Sequence, residues 1–309
     1  MPVSRAKPQE IFSAGQWDAL RRVSPWRGLG LVAHAWAVII LALSVSYLFP
    51  NPLIWIGAMV VIGARQLGLA ILMHEAAHGV LHPNQRVNDF VGEWFCAAPV
   101  GVTLANYRKY HLVHHKYTQT EADPDLGLAA PFPTTWRSMV RKAYRDLTGQ
   151  TFLKQRFGLF ASRIKHGGRP GGVMGDAPKI APFLMMNVIV LVGVSALASP
   201  WLFLIWVGAM ATWFQLALRI RNIAEHACAG STDDPFTHAR TTEASLLERA
   251  LIAPYYVNFH CEHHLFMYVP CYNLPRVHAL LLEKGYGAKM PIAGSYLDVL
   301  RRVTAPAAA

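Results

Sequence analysis

The run LIWIGAMVVIGARQLGLAILM, residues 53–73, passes without a break into HEAAH, residues 74–78. A bilayer core takes roughly 20 apolar residues as a helix. The first part is therefore long enough to span a membrane, and the second sets two imidazoles one helical turn apart just beyond it. Three other stretches have similar length and composition: residues 29–49, 180–198 and 201–218. The four pair as two hairpins whose tips, Pro50-Asn51-Pro52 and Ser199-Pro200, carry no charge.

Only 15% of the 309 residues are charged, against about 25% in an ordinary soluble domain. Of 29 Lys and Arg, all but Arg65 lie outside the four stretches, on the side shared by residues 1–28, 74–179 and the region after 218. The positive-inside rule assigns that side and both termini to the cytoplasm. A soluble four-helix bundle has no physical reason to sort its charges this way. The first stretch lies too deep and runs too long for a cleaved signal peptide. These features predict an all-α, multi-pass integral membrane protein. Residues 1–28 form a cytoplasmic N-terminal segment and residues 29–309 one domain, with four transmembrane helices under a helical cytosolic cap built from 74–179 and 219–304. Asn88–Ala105 and Ala244–Phe259 read as interfacial helices or re-entrant pieces, and Thr151–Gly172 as a surface-lying segment. Cys96, Cys228, Cys261 and Cys271 contain no C-x-x-C pair, which argues against a zinc ribbon or an iron–sulfur cluster. The net charge of +11 suits anionic lipid headgroups or an acidic protein partner, and no nucleic-acid partner is expected.

Fourteen histidines carry the chemistry. Besides HEAAH there are HLVHH at 111–115, HCEHH at 260–264 and NIAEH at 222–226. Residues three and four apart share a helix face, so each cluster aims its rings one way. Neutral imidazole is a ligand for Fe, Zn, Cu and Ni. A lone H-x-x-x-H often arises from packing, but one such pair together with two copies of H-x-x-H-H points to a metal site. His74 directly follows the second apolar stretch, and His226 sits a few residues past the fourth. At about 1.5 Å per helical residue both fall within roughly 12 Å of the same membrane face. Nine histidines exceed the roughly four to six ligands of one ion and suit two. Glu75, Glu225, Glu262, Asp123 and Asp125 are candidates to accept the outer N–H of metal-bound rings, against the plainer reading of solvated charges. His82 is either a tenth ring near the site or a loop residue before Pro83. His34 reads as a satisfied polar group within the first stretch, and His166, His238 and His278 as surface residues.

The order of the boxes, the hairpins between them and the run HKYTQTEADPDL at 115–126 resemble the membrane fatty acid desaturase superfamily, over about residues 25–300. The resemblance implies four membrane helices beneath a cytosolic cap that holds two Fe ions. It implies as their ligands His74, His78, His111, His114, His115, His226, His260, His263 and His264. Asn222 matches an asparagine that holds a metal-bound water. Box one has three intervening residues where some acyl-CoA desaturases have four, which leaves the subfamily open. The implied reaction is desaturation of a fatty acyl chain, carried on a lipid or a thioester, with O2 as co-substrate. The chain shows no flavin fingerprint, cysteine cluster or cytochrome b5 domain, so an external donor of ferredoxin or cytochrome b5 type is expected. Trp94, Phe95, Tyr107, Tyr255 and Tyr256 are candidates for an acyl tunnel, or else interfacial anchors. Arg65, mid-span, should face the protein interior in a structural hydrogen-bonding role. A lipid, sphingolipid or carotenoid hydroxylase or ketolase on the same scaffold is the nearest alternative. HEAAH is also the H-E-x-x-H signature of zinc proteases, which would need one further ligand rather than seven more histidines.

Overall fold

The computed structural model describes residues 2–129, 131–165, 180–230 and 233–304, with the side chains of 159–165 excepted. The described residues are mainly helical; their sheet is one parallel pair, Thr241–Thr242 beside Ile292–Ala293. Three helices are long and apolar enough to cross a membrane: Arg27–Leu48, Pro52–Ala77 and Leu202–His226. The stretch at 180–198 forms Ala181–Leu197, an apolar helix of 17 residues. At 1.5 Å per residue it is about 26 Å long, at the short end of the roughly 17–25 residues that transmembrane helices take. The expectation of four full spans is thus met by three helices and one shorter one. Pro200 bars its extension at the C-terminal end, because the residue before proline is pushed out of the helical region.

Pro52–Ala77 is the axis of the structure. Asn51 starts it, its side chain accepting the Leu53 N–H, and Pro52 fills the first turn, where no intrahelical donor is needed. Its apolar window is 67% buried, against 28% and 39% in the other two long helices, because Arg27–Leu48 and Leu202–His226 both pack along it. Leu202–His226 breaks step at Thr212, whose hydroxyl donates to the Gly208 carbonyl at 2.7 Å. Such back-bonding bends a helix. Both central helices run past the expected span ends, at residues 73 and 218, to Ala77 and His226. The outer faces are apolar and open: Leu41, Leu53, Val192, Leu197 and Leu204 are each more than half exposed. Apolar side chains repeated in this way on long helices suit lipid rather than water.

Around the inner end of the axis lie Leu104–Tyr117, Trp136–Leu147, Gln150–Lys165, His260–Leu265, Leu274–Glu283 and Tyr296–Thr304. The expected interfacial piece at 88–105 is an irregular helix, Gln85–Val91 continuing through a π-helical stretch Gly92–Ala97 to Val100, packed on the axis. The second such piece carries the short helix Leu246–Leu251, with Leu246 and Leu247 exposed. The part of the surface-lying segment beyond residue 165, with His166, lies outside the described residues. The Phe12 ring meets Phe266 edge-on at a centroid distance of 5.2 Å and Trp17 meets it tilted at 5.5 Å, tying the N-terminal segment to the box-three region.

Arg65 faces inward as its cost in a membrane demands. Its guanidinium donates to the Ala250 carbonyl and sits 5.4 Å over the Tyr255 ring. Tyr255 has left-handed backbone (φ 55), and its ring can approach the axis because residue 68 is glycine. A Cβ there would stand 2.6 Å from that ring. Arg65→Gln should therefore lower unfolding free energy by about 1–3 kcal/mol, read by circular dichroism melting of the detergent-solubilised chain. An unchanged melt would remove Arg65 from the set of interactions holding this region.

Candidate metal centre

Each histidine cluster is placed by a local device. The axis helix ends at box one in a Schellman turn: Gly79 takes a left-handed φ of 74°, its N–H donates to Ala76, and the Val80 N–H donates to Glu75 at 3.0 Å. That stop leaves His74 and His78 on the last helical turn, facing inward. HLVHH occupies the last turns of Leu104–Tyr117, and HCEHH forms most of His260–Leu265. His226 is the final residue of the fourth apolar helix. Its end is closed by Arg240, whose guanidinium donates to the carbonyls of Ala224, Ala227 and Cys228.

The nine rings converge in two groups. His74, His78, His111, His115 and His263 form one; His114, His226, His260 and His264 form the other. Within each group the candidate ligand nitrogens all lie within 4.8 Å of one another. Nε2 atoms approach pairwise at 2.9 Å (His111 and His115), 3.0 Å (His115 and His263), 3.0 Å (His226 and His260) and 3.1 Å (His260 and His264). The groups adjoin: the His115 and His264 rings stack at 4.3 Å. Burial holds His111, His115, His260, His263 and His264 well below the ordinary imidazole range, and neighbouring imidazoles push the same way. These rings are therefore neutral, with a lone pair to give. Both ring nitrogens of His74 and of His78, and Nδ1 of His263, are buried without a hydrogen-bond partner. With one nitrogen from each ring facing its neighbours, the chemistry of each group fits a divalent transition ion better than any protein donor.

Outer contacts orient several rings. His114 Nδ1–H donates to Asp123 at 2.8 Å, and that carboxylate also accepts the backbone N–H groups of Gln119 and Asp125. His226 Nδ1–H donates to the His238 carbonyl at 3.2 Å. Glu225 lies 3.4 Å from His260 Nδ1 and is paired with Arg221 at 2.5 Å. Glu75 and Asp125 stand slightly farther from ligand rings, at 3.6 Å from His74 Nδ1 and 3.7 Å from His114 Nδ1, and each has a closer partner, while Glu262 serves elsewhere. Glu75 accepts the Cys271 N–H at 2.7 Å, Asp125 accepts the Tyr110 hydroxyl, and Glu262 accepts from His278 and Thr241.

The remaining sequence expectations divide. His82 stays outside both groups, its ring engaged with the Asn84 backbone. His34 Nδ1 lies 3.0 Å from the Tyr255 hydroxyl, a satisfied polar group as read. His238 and His278 are not surface residues. His238 is buried and its carbonyl meets His226, while His278 is paired with buried Glu262. Arg240 and the His238 carbonyl were invisible as site residues, because neither falls in a spaced cluster.

Asn222 borders a cavity of about 40 Å³ together with His114, His226 and His260, room for a water beside the four-ring group. A second cavity, of about 1030 Å³, opens next to it. Of the five aromatic tunnel candidates it includes Tyr107, whose ring stacks on His111 at 5.2 Å and an interplanar angle of 9°. Tyr255 and Tyr256 instead pack under Arg65 and Arg249.

The sequence profile of the fatty acid desaturase family matches residues 50–296. The chain is 27% identical to dihydrorhizobitoxine desaturase of Bradyrhizobium elkanii, over 75% of this chain and 69% of that protein. It is 25% identical to beta-carotene ketolase of Paracoccus sp. (strain PC1), over 80% and 86%. It is 26% identical to zeaxanthin 4-ketolase of Chlamydomonas reinhardtii, over 68% of this chain and 40% of the algal protein.

Two measurements address the centre. The purified chain should hold about two transition-metal ions by elemental analysis, and His78→Ala and His226→Ala should each retain about one, since they remove rings from different groups. Asp123→Asn should weaken metal retention about 10- to 100-fold in chelator competition, by releasing the His114 ring.

Proposed function

The chain belongs to the fatty acid desaturase family, and we propose that it is a membrane oxidoreductase that uses O2 to introduce a double bond into a fatty acyl chain. The observation that carries this reading is the pair of adjoining all-imidazole groups at one end of two long apolar helices. Acid–base side chains cannot break an unactivated C–H bond. Two irons held by the nine rings, and reduced by two electrons from a separate donor, would supply O2 activation. The balance is one saturated –CH2–CH2– unit, O2, two electrons and two protons giving –CH=CH– and two waters.

The chain's own residues do the rest. Asp123 and the His238 carbonyl fix ring orientation, and the Arg221–Glu225 pair sits beside Asn222 at the small cavity. Met73 and Tyr107 border the large cavity next to His74 and His111, where a chain from the bilayer can approach. In the proposed topology this end and both termini face the cytoplasm, following the placement of Lys and Arg. The basic cap then steers an acidic ferredoxin- or cytochrome b5-type donor.

A second reading has a specific support: two of the relatives are named ketolases. Transfer of oxygen to the carbon, rather than loss of a second hydrogen, would give an alcohol or ketone on the same scaffold. The protease reading has none. His74 and His78 share their group with three more histidines, where a protease would need one further ligand, and Glu75 accepts the Cys271 N–H through one oxygen and lies 3.6 Å from His74 Nδ1 through the other.

Expression in a host of simple lipid composition, followed by mass spectrometry of total lipids, separates these outcomes. Loss of two hydrogens from an acyl chain is expected. Gain of oxygen would favour the second reading, and unchanged lipids would refute both. His114→Ala and His263→Ala should each bring product below detection while the protein stays in the membrane fraction; activity retained in both would overturn the ligand assignment.

A further inference from the structure

Box three is the least self-supporting of the ligand-bearing elements. His260–Leu265 has six residues, and neither end has a side-chain cap, where an isolated helix needs roughly 12–15 residues to persist. Yet it carries three of the nine rings and splits them between the groups: His263 joins the group of five, His260 and His264 the group of four. At about 100° per residue those three rings share one side of the helix. Glu262 falls on the opposite side and is fully buried.

A buried carboxylate is tolerated only with partners, and Glu262 has two, from separate elements. Oε1 accepts from His278 Nδ1–H at 2.5 Å, and Oε2 accepts the Thr241 hydroxyl at 2.5 Å. His278 belongs to Leu274–Glu283, which is anchored by buried Leu274, Val277 and Leu281 in the same core as Leu265 and Phe266. The hydrogen bond from Glu262 raises the His278 ring from the ordinary imidazole value, against the opposing effect of burial, and so favours the charged ring as its counter-ion. Thr241 lies in the parallel strand pair. The residues just before it serve the other side of the site: the His238 carbonyl accepts from His226, and Arg240 closes the helix that ends at His226. Just after it, the Thr242 N–H donates to the Asn258 carbonyl at 2.9 Å, and the Asn258 side chain donates back to the Thr242 carbonyl at 3.0 Å. Residues 238–242 are thus a beam running from His226 to box three.

We propose that Glu262, held between His278 and Thr241, is a positioning residue that fixes the roll of the box-three helix, and so delivers His263 to one ion and His260 and His264 to the other. The inference rests on reading the nine rings as a two-ion centre. Asp123 receives His114 alone and governs one ring of one group. Glu262 governs three rings shared by both groups. With His278 or Thr241 removed, part of a buried carboxylate is left unpaired. It then gains by turning toward water, and a helix of under two turns turns with it.

The test loads the full chain in detergent with Co(II), whose visible absorption reports ligand geometry, and follows release of each ion to EDTA. The unaltered chain should take up about two ions. In His278→Leu both ions should be lost about 10- to 100-fold more readily, with no step at one ion and with a changed visible spectrum. Thr241→Val should act in the same way but more weakly. His278→Asn, whose amide can donate from close to the position of Nδ1, should recover most of the retention, and Thr241→Ser nearly all of it. Asp123→Asn should differ from these by stopping at one retained ion. Unaltered retention and spectrum in both His278→Leu and Thr241→Val would overturn the proposal. So would loss of one ion alone, which would confine the effect to a single ring. So would a loss that follows the melting temperature of the metal-free chain and is not recovered by His278→Asn, which would reduce the contact to general stability. Uptake of fewer than two ions by the unaltered chain would instead refute the two-ion reading, and this proposal with it.

Discussion

Nine imidazole rings have been taken out of water and turned toward one another, and the structure must satisfy their nitrogens from within. Each buried polar atom left unpaired costs about 1–3 kcal/mol, and the five partnerless nitrogens on His74, His78 and His263 would together consume much of a domain's net stability. Protonation offers no escape, since burial disfavours the charged ring. A neutral ring has one lone pair and one N–H, so a cation in each group would take one nitrogen per ring and link metal binding to the folding of this region. The two groups are unequal, five rings against four, and the smaller one borders the water-sized cavity with Asn222. An exchangeable position belongs on the side with fewer fixed ligands.

That demand explains features of the fold which membrane crossing alone does not. The axis helix and the fourth apolar helix both continue past their apolar stretches and stop on a ring-bearing turn. One stop uses Gly79 and the other uses Arg240. Two helices anchored along their length hold His74, His78 and His226 rigidly, and the shorter cap helices bring the other six rings to them. Sites on helices keep their geometry better than sites on loops, which suits chemistry that needs metals at a fixed spacing.

The outer ring of contacts shows how far residue type alone carries. All five acids near the boxes were reasonable partners for ring N–H groups, yet Asp123 and Glu225 approach ligand rings most directly. Glu262, between two box histidines, points away to His278 and Thr241. On a helix neighbouring residues face different directions, so its place between His260 and His263 already argued against a shared face. Tyr107 lies four residues before His111 and stacks on it, a relation the same spacing rule made legible. Tyr255 and Tyr256 were not legible, because their left-handed backbone is set by packing against the axis.

By itself the sequence determined the membrane class, the central helices and the complete set of nine converging histidines. Helical periodicity and apolar length are local properties, set by neighbours a few residues apart. Only the tertiary structure decided how nine rings divide into five and four, which carboxylates face them, that one apolar stretch forms a helix of 17 residues, and where the large cavity lies. Those depend on residues as distant as His115 and His263, or Arg156 and Val100, brought together by packing whose direction no short stretch of sequence encodes.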